Sequence, residues 1–295
     1  MIIDSHTHLW PRDDTSEDLK VYFKKRNIFD KISGILTAEG ILEKMDVNGI
    51  EQSIVASIAL HLDMNNDDLM KHNTYVSSEV KKSKGKLIGF CTVDPFDGDR
   101  SKNTLKHCIE ELGFQGLKLH PCFQQFYPND QRLYPLYNEM QNYGKPILFH
   151  TGGIGIVPYK DAYGSPQYLD DVGCDFPDLT IILGHGGRML YDQTAILLRK
   201  HKNMYADIST NFGRSDKYNF QPLEWLLYKV KVWAGSLDRV LFGSDYPFYF
   251  QEETLDILDR AKRSLNKKNK IFITLEDIDK ITYTNAKRLF SKLGL

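Results

Sequence analysis

The sequence predicts an α/β chain folded as a single (β/α)8 TIM barrel, and three observations carry that expectation. Eight short, near-continuous apolar runs are spaced along the 295 residues, the pattern of strands buried on both faces. A helix-like stretch follows each run, and such alternation closes a parallel sheet rather than leaving it open. Several runs end in a histidine or an aspartate, and a parallel barrel gathers its C-terminal strand ends on one face, where barrel chemistry is kept.

The strand candidates are residues 1–5, 52–58, 87–93, 116–120, 146–150, 179–184, 203–208 and 239–243. Helix-like stretches lie near 37–49, 67–83, 100–112, 131–143, 166–175, 188–201, 221–237 and 252–265, with polar starts such as Asp67 and Ser101 and stops such as Gly113 and Gly144. Two extra C-terminal helices, 276–283 and 285–293, follow the last unit. The charged insert from Pro11 to Ser33 carries Tyr22, Phe23 and Phe29 and is expected to form an N-terminal lid over the mouth. With no repeat or linker-like tract, residues 1–295 are expected to form one domain.

Composition narrows the partners. With 38 basic and 39 acidic residues the net charge is −1, which leaves no electrostatic footprint for nucleic acid or an anionic membrane. No leader-like or membrane-spanning apolar run is present, and the four cysteines (Cys91, Cys108, Cys122, Cys174) form no C-x-x-C pair. Reduced thiols in a cytoplasmic protein are therefore expected.

The chemistry is concentrated at the strand ends. His6 and His8 are two apart on an extended segment, so both imidazoles can reach one ion. His150 ends the fifth strand, His185 lies in Gly184-His185-Gly186-Gly187, and Asp207 and Asp245 close the seventh and eighth. Together they predict a mononuclear metal site at the barrel mouth. Lys118 and His120 share a face of strand four. Arg188 is placed either to grip a carboxylate in two-point fashion or to form a salt bridge at a helix start. Trp10, Tyr159, Tyr163, Tyr246, Phe248 and Tyr249 are expected around the mouth, suiting a small, partly planar organic acid. Phe248 to Phe250 are alternatively contacts of a homodimer. Asp4 is expected in an internal ion pair, and Asp207 either touches substrate or caps the next segment. His72, His107 and His201 fall on helices with solvated roles by default, and His61 is a rim position.

His6-Thr7-His8, His150, Gly184 to Gly187 and Gly243-Ser244-Asp245-Tyr246-Pro247, in register with the strand ends, resemble the amidohydrolase superfamily. More narrowly they resemble its amidohydrolase-related branch, which includes aminocarboxymuconate semialdehyde decarboxylase and various lactone and amide hydrolases. Asn285 to Phe290 is similar to that branch's closing helix, so the resemblance spans the whole chain. It implies one divalent ion, usually zinc, held by His6, His8, His150 and Asp245, with His185 beside the metal water. In binuclear members a carbamylated lysine bridges two metals; Lys118 is placed either for that role or as a buried ion-pair partner, and His120 for substrate or the metal's coordination shell. Three neutral imidazoles and a carboxylate suit zinc, and also manganese, iron or cobalt.

A bound water with its pKa lowered to about 7 would be the nucleophile. Asp245 would take its proton and His185 would polarise a carbonyl or shuttle a proton. The leading expectation is hydrolysis of a small amide, ester or lactone. The alternative is non-oxidative decarboxylation of a small unsaturated or aromatic carboxylic acid. A non-catalytic metal-binding barrel stands third, because it leaves His185 and His120 without a task.

Overall fold

The structure, a computed structural model, describes residues 1–11, 36–59, 64–213, 219–268 and 271–292. The expected lid and the rim position His61 lie outside the described residues. Eight parallel strands pair in sequence order: β1 (Ile2–Thr7), β2 (Ile50–Ala56), β3 (Leu87–Cys91), β4 (Gly116–Leu119), β5 (Ile147–His150), β6 (Ile181–Gly184), β7 (Met204–Asp207) and β8 (Val240–Leu241). The ring closes between β8 and β1. Ser5 N donates to Phe242 O at 2.8 Å, His8 N donates to Tyr246 O at 2.7 Å, and Thr7 bridges Tyr246 in parallel.

The outer helices are α1 (Ala38–Asn48), α2 (Asn66–Lys82), α3 (Gly98–Glu110), a single turn α4 (Pro121–Gln124), α5 (Tyr134–Asn142), α6 (Leu169–Asp175), α7 (Tyr191–Lys200), α8 (Gln221–Ala234) and α9 (Gln251–Lys267). Asn65 caps α2 by accepting from the amides of Asp67 and Asp68, so that helix starts just before the expected Asp67. Ser101 lies inside α3 rather than at its start. The helix expected from 188 begins only at Tyr191, because residues 185–189 all take positive φ.

The apolar residues divide as the barrel requires. The largest core cluster fills the annulus between strands and helices. A second fills the barrel itself: Ile3, Ile54, Ala56, Ile88, Phe90, Leu148, Ile182, Tyr205 and Leu241. Ala286, Leu289 and Phe290 join that inner cluster, so α11 (Asn285–Lys292) stoppers the end opposite the mouth. It follows α10 (Leu275–Asp279) and one π-helical turn, Lys280–Thr284. Asn285 anchors it by donating to Leu237 O at 2.8 Å and Val240 O at 2.9 Å.

Candidate active site

Above the apolar filling the barrel interior turns polar. Leu148, Ile182 and Tyr205 face inward, so period two brings His150, Gly184 and Asp207 to the next level toward the mouth. On β1 the strict alternation fails. Ile3 and His6 both face inward although they are three apart, and the register shifts between Asp4 and Thr7 absorb the difference. Asp4 consequently leaves the face of His6. It is fully buried and meets neutral donors: Ser244 Oγ at 2.6 Å, Ser244 N at 3.0 Å and Gln251 Nε2 at 3.1 Å. These replace the expected ion pair. Burial pushes its carboxyl up to about 6, against those hydrogen bonds.

His6 is held on every side. Its Nδ1 lies 2.9 Å from Asp207 Oδ2, and its ring stacks on His185 at 4.7 Å. Gly184 and Gly243 make the room: a Cβ on either would come within 3.0 Å of His6. His8 Nδ1 donates to Ala56 O at 2.7 Å. Both rings thus commit Nδ1 to an acceptor and turn the lone pair of Nε2 inward, toward Asp245 Oδ1 at 3.8 and 3.4 Å. Asp245 is aimed by a left-handed backbone (φ 65°), a conformation a non-glycine residue adopts only when its surroundings impose it.

His150 is the clearest mark of a missing partner. It is buried, its Nε2 has no hydrogen-bond partner among the described residues, and its ring stacks on His120 at 4.0 Å. Burial lowers the pKa of His8 to about 4 and pushes His120, His150 and His185 well below the usual imidazole range, so all four are neutral at pH 7. Neutral imidazoles turning lone pairs inward, a carboxylate at their centre and an orphaned nitrogen beside them form a donor set that fits a divalent ion. One group competes for it: Lys118 Nζ lies 3.0 Å from His6 Nε2, the atom an ion would need. Lys118 is fully enclosed, and burial brings its pKa down to about 8. No carboxylate lies within ion-pair distance of it among the described residues, so the expected ion-pair role gives way to this contact with His6.

Asp207 is a positioning group. Besides His6 it accepts from His185 N at 2.9 Å and Ser209 Oγ at 2.5 Å. Burial would raise its carboxyl, but His6 and these donors outweigh it and hold it below the usual range. Ser209 spends its proton on Asp207 and so accepts from His185 Nδ1 at 2.8 Å, which leaves His185 Nε2 as an acceptor. His120 has the opposite tautomer. Its Nδ1 caps α4 by accepting from Phe123 N at 3.2 Å, so its Nε2 carries the proton.

His6, His8, Lys118, His120, His150, His185, Arg188 and Asp245 line one chamber with Ile58, Phe123, Ile154 and Phe248. Trp10 does not line it; it packs behind His8 and Phe248, with His72 stacked on its other side at 5.8 Å. His72 is therefore half-buried rather than fully solvated, and it bonds Leu9 O at 2.9 Å. Arg188 reaches Thr210 Oγ1 at 2.5 Å and Gly153 O at 3.2 Å. Of the expected aromatic wall, Tyr159, Tyr163 and Tyr249 pack against the mouth cluster, while Tyr246 belongs to the annular core. Sequence reasoning missed Ser209 and Thr210; two hydroxyls after a strand-ending aspartate were the available signal.

The sequence profile of the amidohydrolase family matches residues 3–292. The chain belongs to that family and is an enzyme of the metal-dependent amidohydrolase superfamily. Among curated proteins it is similar to the gamma-resorcylate decarboxylases of Rhizobium sp. (strain MTP-10005), 23% identical with 86% of each chain covered, and of Polaromonas sp. (strain JS666), 22% identical with 83% of this chain and 85% of that one covered. Its fold matches a dihydroxybenzoic acid decarboxylase from Polaromonas sp. JS666 with bound manganese and the inhibitor 2-nitroresorcinol (TM-score 0.75, 18% identity, 98% and 96% of the two chains covered). These relatives overturn the leading expectation of hydrolysis: they are decarboxylases, and they favour the alternative.

Proposed function

We propose that the chain is a metal-dependent, non-oxidative decarboxylase of a small hydroxylated aromatic carboxylic acid. The observation that carries the reading is the pairing of curated relatives that decarboxylate such acids with a mouth holding two cationic side chains, Lys118 and Arg188, among neutral imidazoles. Hydroxide attack on a carbonyl needs no such pair. Holding the carboxylate that will leave as carbon dioxide does. A divalent ion held by His6, His8, His150 and Asp245 would supply positive charge for the acid's oxygens, with manganese or zinc as the candidates.

The chamber is narrow, with about 30 Å³ in which the centre of a water molecule could sit. The reacting carbon would therefore enter it while the ring lies toward the opening. There it meets Phe248, Phe123 and Arg188, which also borders a larger cleft of about 630 Å³. His120 Nε2–H donates to a substrate oxygen. His185 Nε2 accepts the proton of a ring hydroxyl and returns it to the carboxyl-bearing carbon. The bond to the carboxylate then breaks, its electron pair restores the ring, and carbon dioxide leaves. Asp245, facing His6 and His8, holds the charge balance of the mouth. The substrate is a small molecule, and no described helix is long and apolar enough to cross a bilayer.

The test is carbon dioxide release from dihydroxybenzoates by manganese- or zinc-loaded protein. Turnover is expected, and His185→Ala should lower it by about 10² or more while metal content stays near normal. Loss of metal together with activity in that variant would make His185 a ligand. Hydrolysis of lactones or amides without carbon dioxide release from any aromatic acid would sink the decarboxylase reading.

A further inference from the structure

A second cluster of metal-ligating side chains lies far from the mouth. Asp170 and Cys174 are four apart on α6 and so share one side of that helix. His201 follows α7 at the turn into β7, on the barrel face opposite the mouth. Their ligand atoms all lie within 4.8 Å of one another, and His201 Nε2 is 2.7 Å from Asp170 Oδ1. We propose that Asp170, Cys174 and His201 form a second divalent-metal site that takes a borderline ion such as zinc.

Three features support a built site. His201 is only 6% exposed, and its ring presses on the helix between the other two ligands: a Cβ at Gly173 would stand 2.8 Å from His201 Nδ1. A glycine in the middle of α6 thus has a reason, and the ring is fixed. The cluster already collects a cation, since Lys200 Nζ lies 2.8 Å from both Asp170 oxygens. The Lys200 side chain is about half exposed and can turn into solvent when an ion takes its place. Finally, the neighbouring acids of α6 are engaged elsewhere, Asp171 with Asn129 and Asp175 with Tyr134, so the Asp170 carboxylate is the one committed to this corner.

Imidazole, thiolate and carboxylate are the donors zinc prefers, and three protein ligands leave a fourth position for water. On binding, the Cys174 thiol gives its proton to solvent and the sulfur pair goes to the ion. The bound ion would clamp α6 to the end of α7.

The residues lining the mouth chamber offer only nitrogen and oxygen donors, so sulfur reports the outer site. Full-length protein stripped by chelator and titrated with cobalt(II) should take up two ions per chain and develop a thiolate-to-cobalt charge-transfer absorption. Cys174→Ser should bind one ion and lose that band, and Asp170→Asn should weaken the second step by about tenfold or more. Lys200→Met, which removes the competing ammonium, should tighten it. One ion per chain without the band in the unsubstituted protein would overturn the proposal, as would a band that survives Cys174→Ser.

Discussion

His6 organises the mouth. Its Nδ1 faces Asp207, its Nε2 faces Lys118 and Asp245, and two glycines leave space for its ring. The Asp207 carboxylate can only accept, so it selects the His6 tautomer with a lone pair at Nε2. In Asp207→Asn the amide can offer a proton to Nδ1 instead, and the ring then loses its preferred tautomer. Metal affinity, measured by competition with a chelator, should fall about 10- to 100-fold while the fold persists. Unchanged affinity would remove Asp207 from the support of the site. At this scale His6, His8, His150, His185 and Asp245 were legible because each ends an apolar run. Asp207 was not resolved, because a strand-ending carboxylate reads alike whether it faces substrate or a ring. Trp10 was misplaced by one layer for a similar reason: its position after β1 puts it near the mouth, and only packing puts Phe248 in front of it.

Among elements, α11 decides how the barrel is closed at its far end. Leu289 and Phe290 follow Ala286 by three and four residues along the helix, and all three enter the inner cluster with Ile3, Ile54 and Leu241. Leu289→Ala should destabilise the protein by about 2–5 kcal/mol, read from denaturant unfolding, because the strands around it cannot collapse into the void. A loss below about 0.5 kcal/mol would mean that the helix is no stopper. The closing helix was expected from the sequence, but its task as the floor of the barrel was not. Helix starts were legible only to within a turn. Asn65 outcompeted Asp67 as a cap, and the left-handed run from His185 to Met189 delayed α7, since that backbone serves the mouth rather than the helix.

For the whole molecule, the buried mouth sets a pH dependence. In the unfolded chain the four histidines titrate near 6.5, whereas folded His8 titrates at about 4 and His120, His150 and His185 lie well below the usual range. Below about pH 6.5 the unfolded state therefore binds more protons, so stability rises with pH in that window and is lost as pH falls toward about 4. His8 alone accounts for a loss of about 3 kcal/mol once pH falls below about 4. Asp4 works in the other direction. Pushed up to about 6, it keeps a proton that the unfolded chain releases near 3.9, so its contribution to stability declines as pH rises between those values. Four groups outweigh one. Denaturant midpoints of metal-free protein should fall steadily from pH 7 to pH 4.5, and a flat profile would show that the imidazoles are not buried neutral.

By itself the sequence determined the barrel, the order of its strands and the gathering of ionisable groups at one end. Those follow from local periodicity, and a parallel barrel leaves one face for strand ends. Tertiary structure decided what each group faces. A one-residue irregularity in β1 separates Asp4 from His6, Asp207 and Ser209 choose ring tautomers, and Lys118 meets an imidazole rather than a carboxylate. The last contacts depend on atoms brought together from more than a hundred residues apart, as for Lys118 and His6 or Asp207 and His6. No pattern along the chain encodes such distances.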